Sequence, residues 1–264
     1  MEKVRNNAAT EPESTIAHLI ADISSKPDAY ALFFDIDGTL IDLAKTPDAI
    51  FIPHDLAGNL AALSRHLNGA LALVTGRALS YADQLFAPHH FPIAGLHGTE
   101  RRLLDGTILR AEPTPAFLSI KQDLATLEDI FPGVLVEDKG GAIAAHFRQA
   151  PMAGEAVEKA MQDALAKAGS GYALQQGKMV LEIRPNSADK GRALEAYMAD
   201  PRFIERIPIA LGDDVTDEAM FARVNALGGI SIQVGEPTNT TDAKERLSQP
   251  QAVRDMIAAI LHRL

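Results

Sequence analysis

The chain has 264 residues, 47% of them apolar, which is enough to bury a sizeable core and excludes a disordered or collagen-like polymer. Its 35 acidic and 25 basic side chains leave a formal charge of −10, which argues against nucleic acid or anionic lipid as a partner, because both require clustered positive charge. Cysteine and tryptophan are absent, so disulfides, thiolate nucleophiles, Cys-ligated metals and a Trp platform for sugar stacking are all excluded.

The opening residues, MEKVRNNAATEPES, mix charges and lack the apolar region of a secretory signal. No segment approaches the ~18–20 apolar residues of a membrane span, so the reading expects no membrane and a cytoplasmic setting. Residues 1–13 are expected to be a flexible polar tail, followed by a helix over 14–24 with Ser14 as its N-cap. The runs at 30–35 (YALFFD) and 70–75 (ALALVT) have the near-continuous apolarity of buried parallel strands. Similar runs fall at 91–95, 207–212 and 230–234, and helical patterns at 54–68, 78–86, 190–200, 216–225 and 250–263. This alternation predicts an α/β core, a parallel, doubly wound sheet with helices on both faces.

From about 108 to 185 the pattern changes. Helical stretches at 115–130 and 152–168 alternate with three strand-like pieces at 133–137, 141–147 and 178–184, which predicts an antiparallel sheet with helices on one face. The expectation is a core formed by residues 14–110 and 186–264, interrupted by an inserted α+β domain at 111–185.

Four segments carry chemistry, each at the end of a strand or the start of a helix. Asp35-Ile36-Asp37-Gly38-Thr39 places two carboxylates two residues apart, able to converge at the carboxyl edge of the first strand. Alone, Asp37-Gly38 is also a common turn. Val74-Thr75-Gly76-Arg77 offers a hydroxyl and backbone N–H groups suited to a phosphate, although Thr75 alone also reads as a helix N-cap. Lys190 opens a helix where the dipole disfavours a cation unless an anion lies nearby. Gly212-Asp213-Asp214-Val215-Thr216-Asp217-Glu218 crowds four acids that repel one another without a cation, or else complement a helix dipole. Together these segments define an oxygen-rich site suited to Mg²⁺, with Thr75 and Lys190 as donors to a phosphoryl group.

In kind and in order, these segments resemble the motifs of the haloacid dehalogenase superfamily of phosphotransferases. The resemblance implies a Rossmann-like core with a C2-type cap at the insert. It also implies that Asp35 is a nucleophile forming an aspartyl-phosphate and that Asp37 is the general acid and then the base activating water. Thr75 and Lys190 would bind phosphate, while Asp35, the backbone carbonyl of Asp37 and Asp213 would hold Mg²⁺, with Asp214 and Asp217 acting through water or through those ligands.

A finer resemblance lies in Gly95–Glu100, Glu137-Asp138-Lys139, His146-Phe147-Arg148 and Gly177–Pro185, which look like segments of the trehalose-6-phosphate phosphatase family. It implies sugar contacts from Glu137, Lys139, Arg148, Lys178 and Glu182, with Arg77 and His97 as further candidate substrate contacts. Lys178 and Glu182, four apart, would share one face of a strand. The same cap charges also read as surface salt bridges, and His97 and His146 as structural hydrogen-bonders. The implied substrate is a small sugar phosphate, trehalose 6-phosphate. A phosphatase for another sugar phosphate and a non-catalytic phosphosugar-binding module remain as alternatives, and the oligomeric state stays open, a monomer being compatible.

Overall fold

The computed structural model describes residues 12–43, 50–110, 112–236 and 240–264. Helix α1 (Pro12–Ser25) begins inside the expected tail, because Pro12 has no N–H to lose at the first helical position and its φ is already helical. Ser14 is therefore within the helix, and the rest of the expected tail, residues 1–11, lies outside the described residues.

Strand β1 (Tyr30–Phe34) is buried at all five positions, so both of its faces are covered, as its unbroken apolar run requires. It lies between β2 (Leu71–Val74) and β10 (Ile207–Gly212), parallel to both, with α2 (Leu56–His66) crossing between β1 and β2. The parallel ladder continues outward through β11 (Ile230–Val234) and β12 (Glu245–Leu247) on one side and β3 (Ile93–Gly95) on the other. Antiparallel β4 (Glu100–Arg102) and β5 (Ile108–Arg110) complete an eight-stranded sheet. Two helix groups cover it: α1 and α2 against α9 (Pro250–Leu261), and α7 (Lys190–Met198) against α8 (Glu218–Ala226). The short α3 (Leu79–Leu85) follows β2.

The segment between Pro115 and Pro185 has its own sheet, in the order β6 (Leu135–Asp138), β7 (Ile143–His146), β9 (Val180–Pro185), β8 (Tyr172–Gly177), all antiparallel. Ile143, Ala145, Leu181 and Ile183 alternate along β7 and β9 and pack with α4 (Pro115–Ala125), α5 (Leu127–Ile130) and α6 (Gly154–Ala168) in a hydrophobic cluster separate from that of the larger sheet. The other face carries Glu137, Ala144, Glu182 and Gln175 in one cross-strand row. We call this unit the cap and the larger one the core.

Several elements differ from the sequence-based expectation. The expected helix over 115–130 is two helices divided at Thr126, whose hydroxyl donates to the Asp123 carbonyl at 2.6 Å. A fourth cap strand, β8, was not anticipated, because its Gln175-Gln176-Gly177 end lacks apolar alternation and it lies at the sheet edge. The β4–β5 hairpin is likewise absent from the apolar pattern: ERR and ILR are short and partly or fully exposed, the last two strands on that side of the sheet, with β5 at its edge. Lys178 is not in a strand. It sits with Met179, at φ +65°, in the turn joining β8 to β9, so its spacing from Glu182 does not place the two on one face.

Candidate active site

The three adjacent parallel strands β2, β1 and β10 all end at the same sheet edge, and the expected chemistry-bearing turns follow directly from them. Asp35 leaves β1 with its N–H donating to the Leu211 carbonyl at 2.9 Å, so the ladder continues into the turn and fixes the carboxylate's direction. Lys190, at the start of α7, donates to Asp35 Oδ1 and to Asp217 Oδ1, both at 2.7 Å. All three residues are buried, at 3%, 4% and 0% exposure for Lys190, Asp35 and Asp217. The anion that makes a lysine tolerable at a helix start is therefore the protein's own. Burial works against the Lys190 ammonium, but Asp35 and Asp217 outweigh it and hold the lysine charged.

Asp35, Asp213 and Asp217 each offer an oxygen within 4.8 Å of the others. Three carboxylates against the one ammonium of Lys190 leave two uncompensated negative charges, the deficit a divalent cation would balance. The strain of that deficit is visible: burial, then the Asp217 and Asp214 carboxylates, push Asp213 up to about 7. Burial likewise pushes Asp35 well above the ordinary carboxylate range, against the pull of Lys190. An all-oxygen donor set with this charge fits a hard cation such as Mg²⁺.

Two glycines make room for the cluster. Gly38 has φ +78°, and a Cβ there would lie 2.1 Å from Asp213 Oδ2. A Cβ on Gly212 would lie 2.2 Å from Asp217 Cγ. Asp217 Oδ2 accepts from the backbone N–H groups of Asp213 and Asp214 at 3.0 and 3.1 Å, holding that loop closed around the buried carboxylate. Asp214 turns away and accepts from Thr216 N and Oγ1 at 2.8 and 2.6 Å. By the family resemblance Asp217 has an indirect part only. Its central position depends on the 3-10 turn over Val215–Asp217, and the only advance signal was the Asp214-x-x-Asp217 capping spacing.

Asp37 is not in the carboxylate cluster by its side chain; both of its oxygens pair with the Arg77 guanidinium in a fork. Thr75 is buried and does not cap α3, whose N-cap is Ala78; its Oγ1 accepts from Arg77 N at 3.1 Å, which leaves its O–H free to donate. His97, at φ +55°, lays its ring against Gly76, where a Cβ would lie 2.8 Å from His97 Cε1. Burial, then the charges of Lys190, Arg184 and Lys139, push His97 down to about 3, so it is neutral and serves as a packing element of the Thr75 turn.

Facing this edge, a cleft of about 870 Å³ separates core from cap. Asp37 and Arg77 line it from the core, and Glu137, His146, Arg148 and Lys178 from the cap. Lys139 donates to Glu182 at 2.8 Å and lies 3.9 Å from Glu137, which accepts from His146 Nε2 at 3.2 Å when that nitrogen is protonated. The His146 hydrogen bond, outweighing burial, holds Glu137 below its usual range. Leu43, Ile50, Val134, Leu135, Met179 and Val180 also line the cleft, an apolar contribution that the sequence, read for polar sugar contacts, did not disclose.

This architecture defines a class. Over 89% of its length the chain superposes on all of a haloacid dehalogenase-like hydrolase from Bacteroides thetaiotaomicron, with a TM-score of 0.65 at 15% identity. It also matches the C-terminal domain of the C. albicans trehalose-6-phosphate phosphatase over 93% of this chain and 96% of that one, with a TM-score of 0.77 at 20% identity. At these identities the shared property is the haloacid dehalogenase fold with a cap.

Sequence comparison narrows it. The trehalose-phosphatase family model matches residues 33–251. A probable trehalose-phosphate phosphatase of Sinorhizobium fredii is 52% identical over 238 residues, 90% of each chain. The trehalose-6-phosphate phosphatase of Escherichia coli is 42% identical over 220 residues, 83% of this chain and 82% of that one. The chain belongs to the trehalose-phosphatase family.

Proposed function

We propose that the protein hydrolyses trehalose 6-phosphate to trehalose and phosphate in a Mg²⁺-dependent reaction. The observation that carries this reading is the convergence of Asp35, Lys190, Asp213 and Asp217 at the shared end of β1 and β10, beside a roomy cleft under a cap. Lys190 occupies Asp35 Oδ1, so Oδ2 is the oxygen that attacks phosphorus, forming the P–O bond of an aspartyl-phosphate as the bond to the sugar oxygen breaks. Asp37 in its acid form gives that oxygen a proton and, as the carboxylate so formed, removes one from the water that hydrolyses the aspartyl-phosphate; the Arg77 fork orients the carboxylate form and opens for the first transfer. Thr75 donates its free O–H to a phosphoryl oxygen, and Lys190 offsets the charge that develops there. Asp35, Asp213, Asp217 and the backbone carbonyl of Asp37 are the groups that would hold Mg²⁺, and the bound cation would screen the carboxylate from the phosphate dianion.

On the cap, Glu137, Lys139, Arg148, Lys178 and Glu182 recognise the disaccharide, with charged groups making strong hydrogen bonds to its hydroxyls. Residues 111–185 act as the cap over a core of 14–110 and 186–264. No helix among the described residues is long and apolar enough to cross a membrane, and the absence of cysteine suits the cytoplasmic setting included in this reading.

The test is phosphate release from trehalose 6-phosphate, sucrose 6-phosphate and glucose 6-phosphate, with and without chelator. The expected result is the highest kcat/KM for trehalose 6-phosphate, abolished by EDTA and restored by Mg²⁺. Equal kcat/KM across the panel would remove the substrate assignment, and no phosphate release at all would leave a phosphosugar-binding module.

A further inference from the structure

The backbone of Arg77 is tied on both sides: its N–H donates to Thr75 Oγ1 at 3.1 Å, and its carbonyl accepts from the Leu96 N–H at 2.9 Å. Its side chain is less constrained. An arginine stem has several free torsions, and the fork to Asp37 is open to water, the Arg77 and Asp37 side chains keeping 23% and 29% of their exposure. An ion pair that water can reach holds its geometry only weakly. In the proposed reaction Asp37 is called on twice, at the sugar oxygen and at the attacking water. The group that orients it must therefore be in the same place both times.

Tyr81 supplies a second restraint. The guanidinium carbon of Arg77 lies over the Tyr81 ring, 4.5 Å from its centroid. Tyr81 stands on α3, four residues after Arg77, and its N–H donates to the Ala78 carbonyl at 3.0 Å. Leu79 and Ala82 are the buried residues of that helix, which packs on β3 and β4. The ring is thus carried by an element anchored in the core, whereas Asp37 belongs to the turn after β1. A cation over an aromatic face is held by the ring quadrupole, which uses up none of its N–H donors. The guanidinium can therefore slide off Asp37 and return to it while still over the ring.

We propose that Tyr81 is a positioning residue for the hydrolysis: its ring keeps the Arg77 guanidinium beside Asp37 through both proton transfers. This rests on the reading of Asp37 as the acid and then the base. Asp37 and Arg77 line the cleft and Tyr81 does not, so Tyr81 acts through Arg77 and not on the substrate.

The test compares Tyr81→Phe, Tyr81→Leu and Tyr81→Met in the full chain, with trehalose 6-phosphate and Mg²⁺, and repeats Tyr81→Leu in an Arg77→Met background. Tyr81 is part-exposed, so these variants keep the fold. The two ringless variants are expected to lower kcat by about fivefold with KM changed by less than about twofold, while Tyr81→Phe, which keeps the ring, stays within about twofold of the unaltered protein. With Arg77→Met already present, Tyr81→Leu should have no further effect on kcat, because the group it holds is gone. Arginine Nε–H spectra give a readout independent of turnover: the ring current of Tyr81 shifts the Arg77 signal, and that shift should persist in Tyr81→Phe and disappear in Tyr81→Leu. The proposal is overturned by a loss that persists unchanged with Arg77→Met, by a normal kcat in both ringless variants, by a Tyr81→Phe loss as large as that of Tyr81→Leu, or by an Arg77 signal indifferent to Tyr81→Leu. Each of these leaves the assigned reaction standing. No phosphate release by the unaltered protein removes the reaction itself and the proposal with it.

Discussion

The core and the cap each contribute a lysine bonded to a carboxylate, at 2.7 and 2.8 Å, in different surroundings. In the core, Lys190 and its partners Asp35 and Asp217 are buried to within a few per cent of complete exclusion from water. On the cap sheet, the side chains of Lys139 and Glu182 keep 16% and 12% of their exposure, and their neighbour Glu137 keeps half. Complete desolvation makes an ion pair obligatory, because losing either partner strands a buried charge. Partial exposure lets a pair exchange one partner for a hydroxyl at small cost. The core cluster is therefore suited to chemistry that must not vary, and the cap face to a ligand that comes and goes.

The sharpest way to break that contrast is to delete the two lysines. Lys190→Met is expected to cost about 3–5 kcal/mol of stability and to remove measurable phosphate release, whereas Lys139→Met should cost about 1 kcal/mol or less. Denaturant melts decide this, and equal losses would erase the distinction. Asp35→Asn separates chemistry from folding: turnover should fall by at least about a thousandfold with a folded, cooperatively melting protein, and full activity would remove Asp35 as the nucleophile.

Glycines give the next effect. Gly38→Ala drives a methyl into Asp213 and should lower kcat by about a hundredfold and weaken Mg²⁺ activation, because a carboxylate displaced by an ångström no longer completes the site. Gly140→Ala in the cap, at φ +74° with nothing within 4 Å, carries only backbone strain, about 1 kcal/mol, and should leave kcat unchanged. A Gly38→Ala enzyme with normal kcat would show that the Asp213 approach is not needed.

Specificity should divide along the same line. Glu182→Ala is expected to reduce kcat/KM for trehalose 6-phosphate by about tenfold or more, with little change for a small aryl phosphate that does not reach the cap. Equal losses on both substrates would take Glu182 out of sugar recognition.

The smallest effect is a pH dependence. Folding depresses His97 to about 3 from an ordinary value of 6.5, so the unfolded chain binds the extra proton. The stabilisation is complete above about pH 6.5 and is lost as pH falls through the range down to about 3. His97→Asn removes this titration, so between about pH 7.5 and 5 the unaltered protein should lose roughly 1–2 kcal/mol more stability than the variant. Parallel losses in the two proteins would show that His97 is not held neutral.

The legibility of the sequence follows the same division. Asp35, Asp37, Thr75, Lys190 and Asp213 stand out because each follows a buried apolar strand or opens a helix, and parallel strands deliver their ends to one edge. Lys178 was misplaced because nothing in Gly177-Lys178-Met179-Val180 marks Met179 as left-handed; a glycine there would have announced the turn. The β4–β5 hairpin did carry a signal, Asp105-Gly106, with Gly106 at φ +87° and Asp105 Oδ1 accepting from Thr107 N at 2.8 Å, but its short charged strands hide it.

The sequence by itself determined which strands are buried, where their polar ends fall and that the parallel-strand pattern gives way to an antiparallel one between about 108 and 185. Each of these is a local property of apolar runs, glycines and spacing. The tertiary structure decided which carboxylates meet. Asp217, not Asp214, faces Lys190 because the Asp214–Asp217 turn folds it inward over Gly212, and Asp37 reaches Arg77 because β1 and β2 are neighbours. Charges of one sign concentrate at a point only when distant segments are packed together, and the energy of that packing comes from the apolar sheet beneath them.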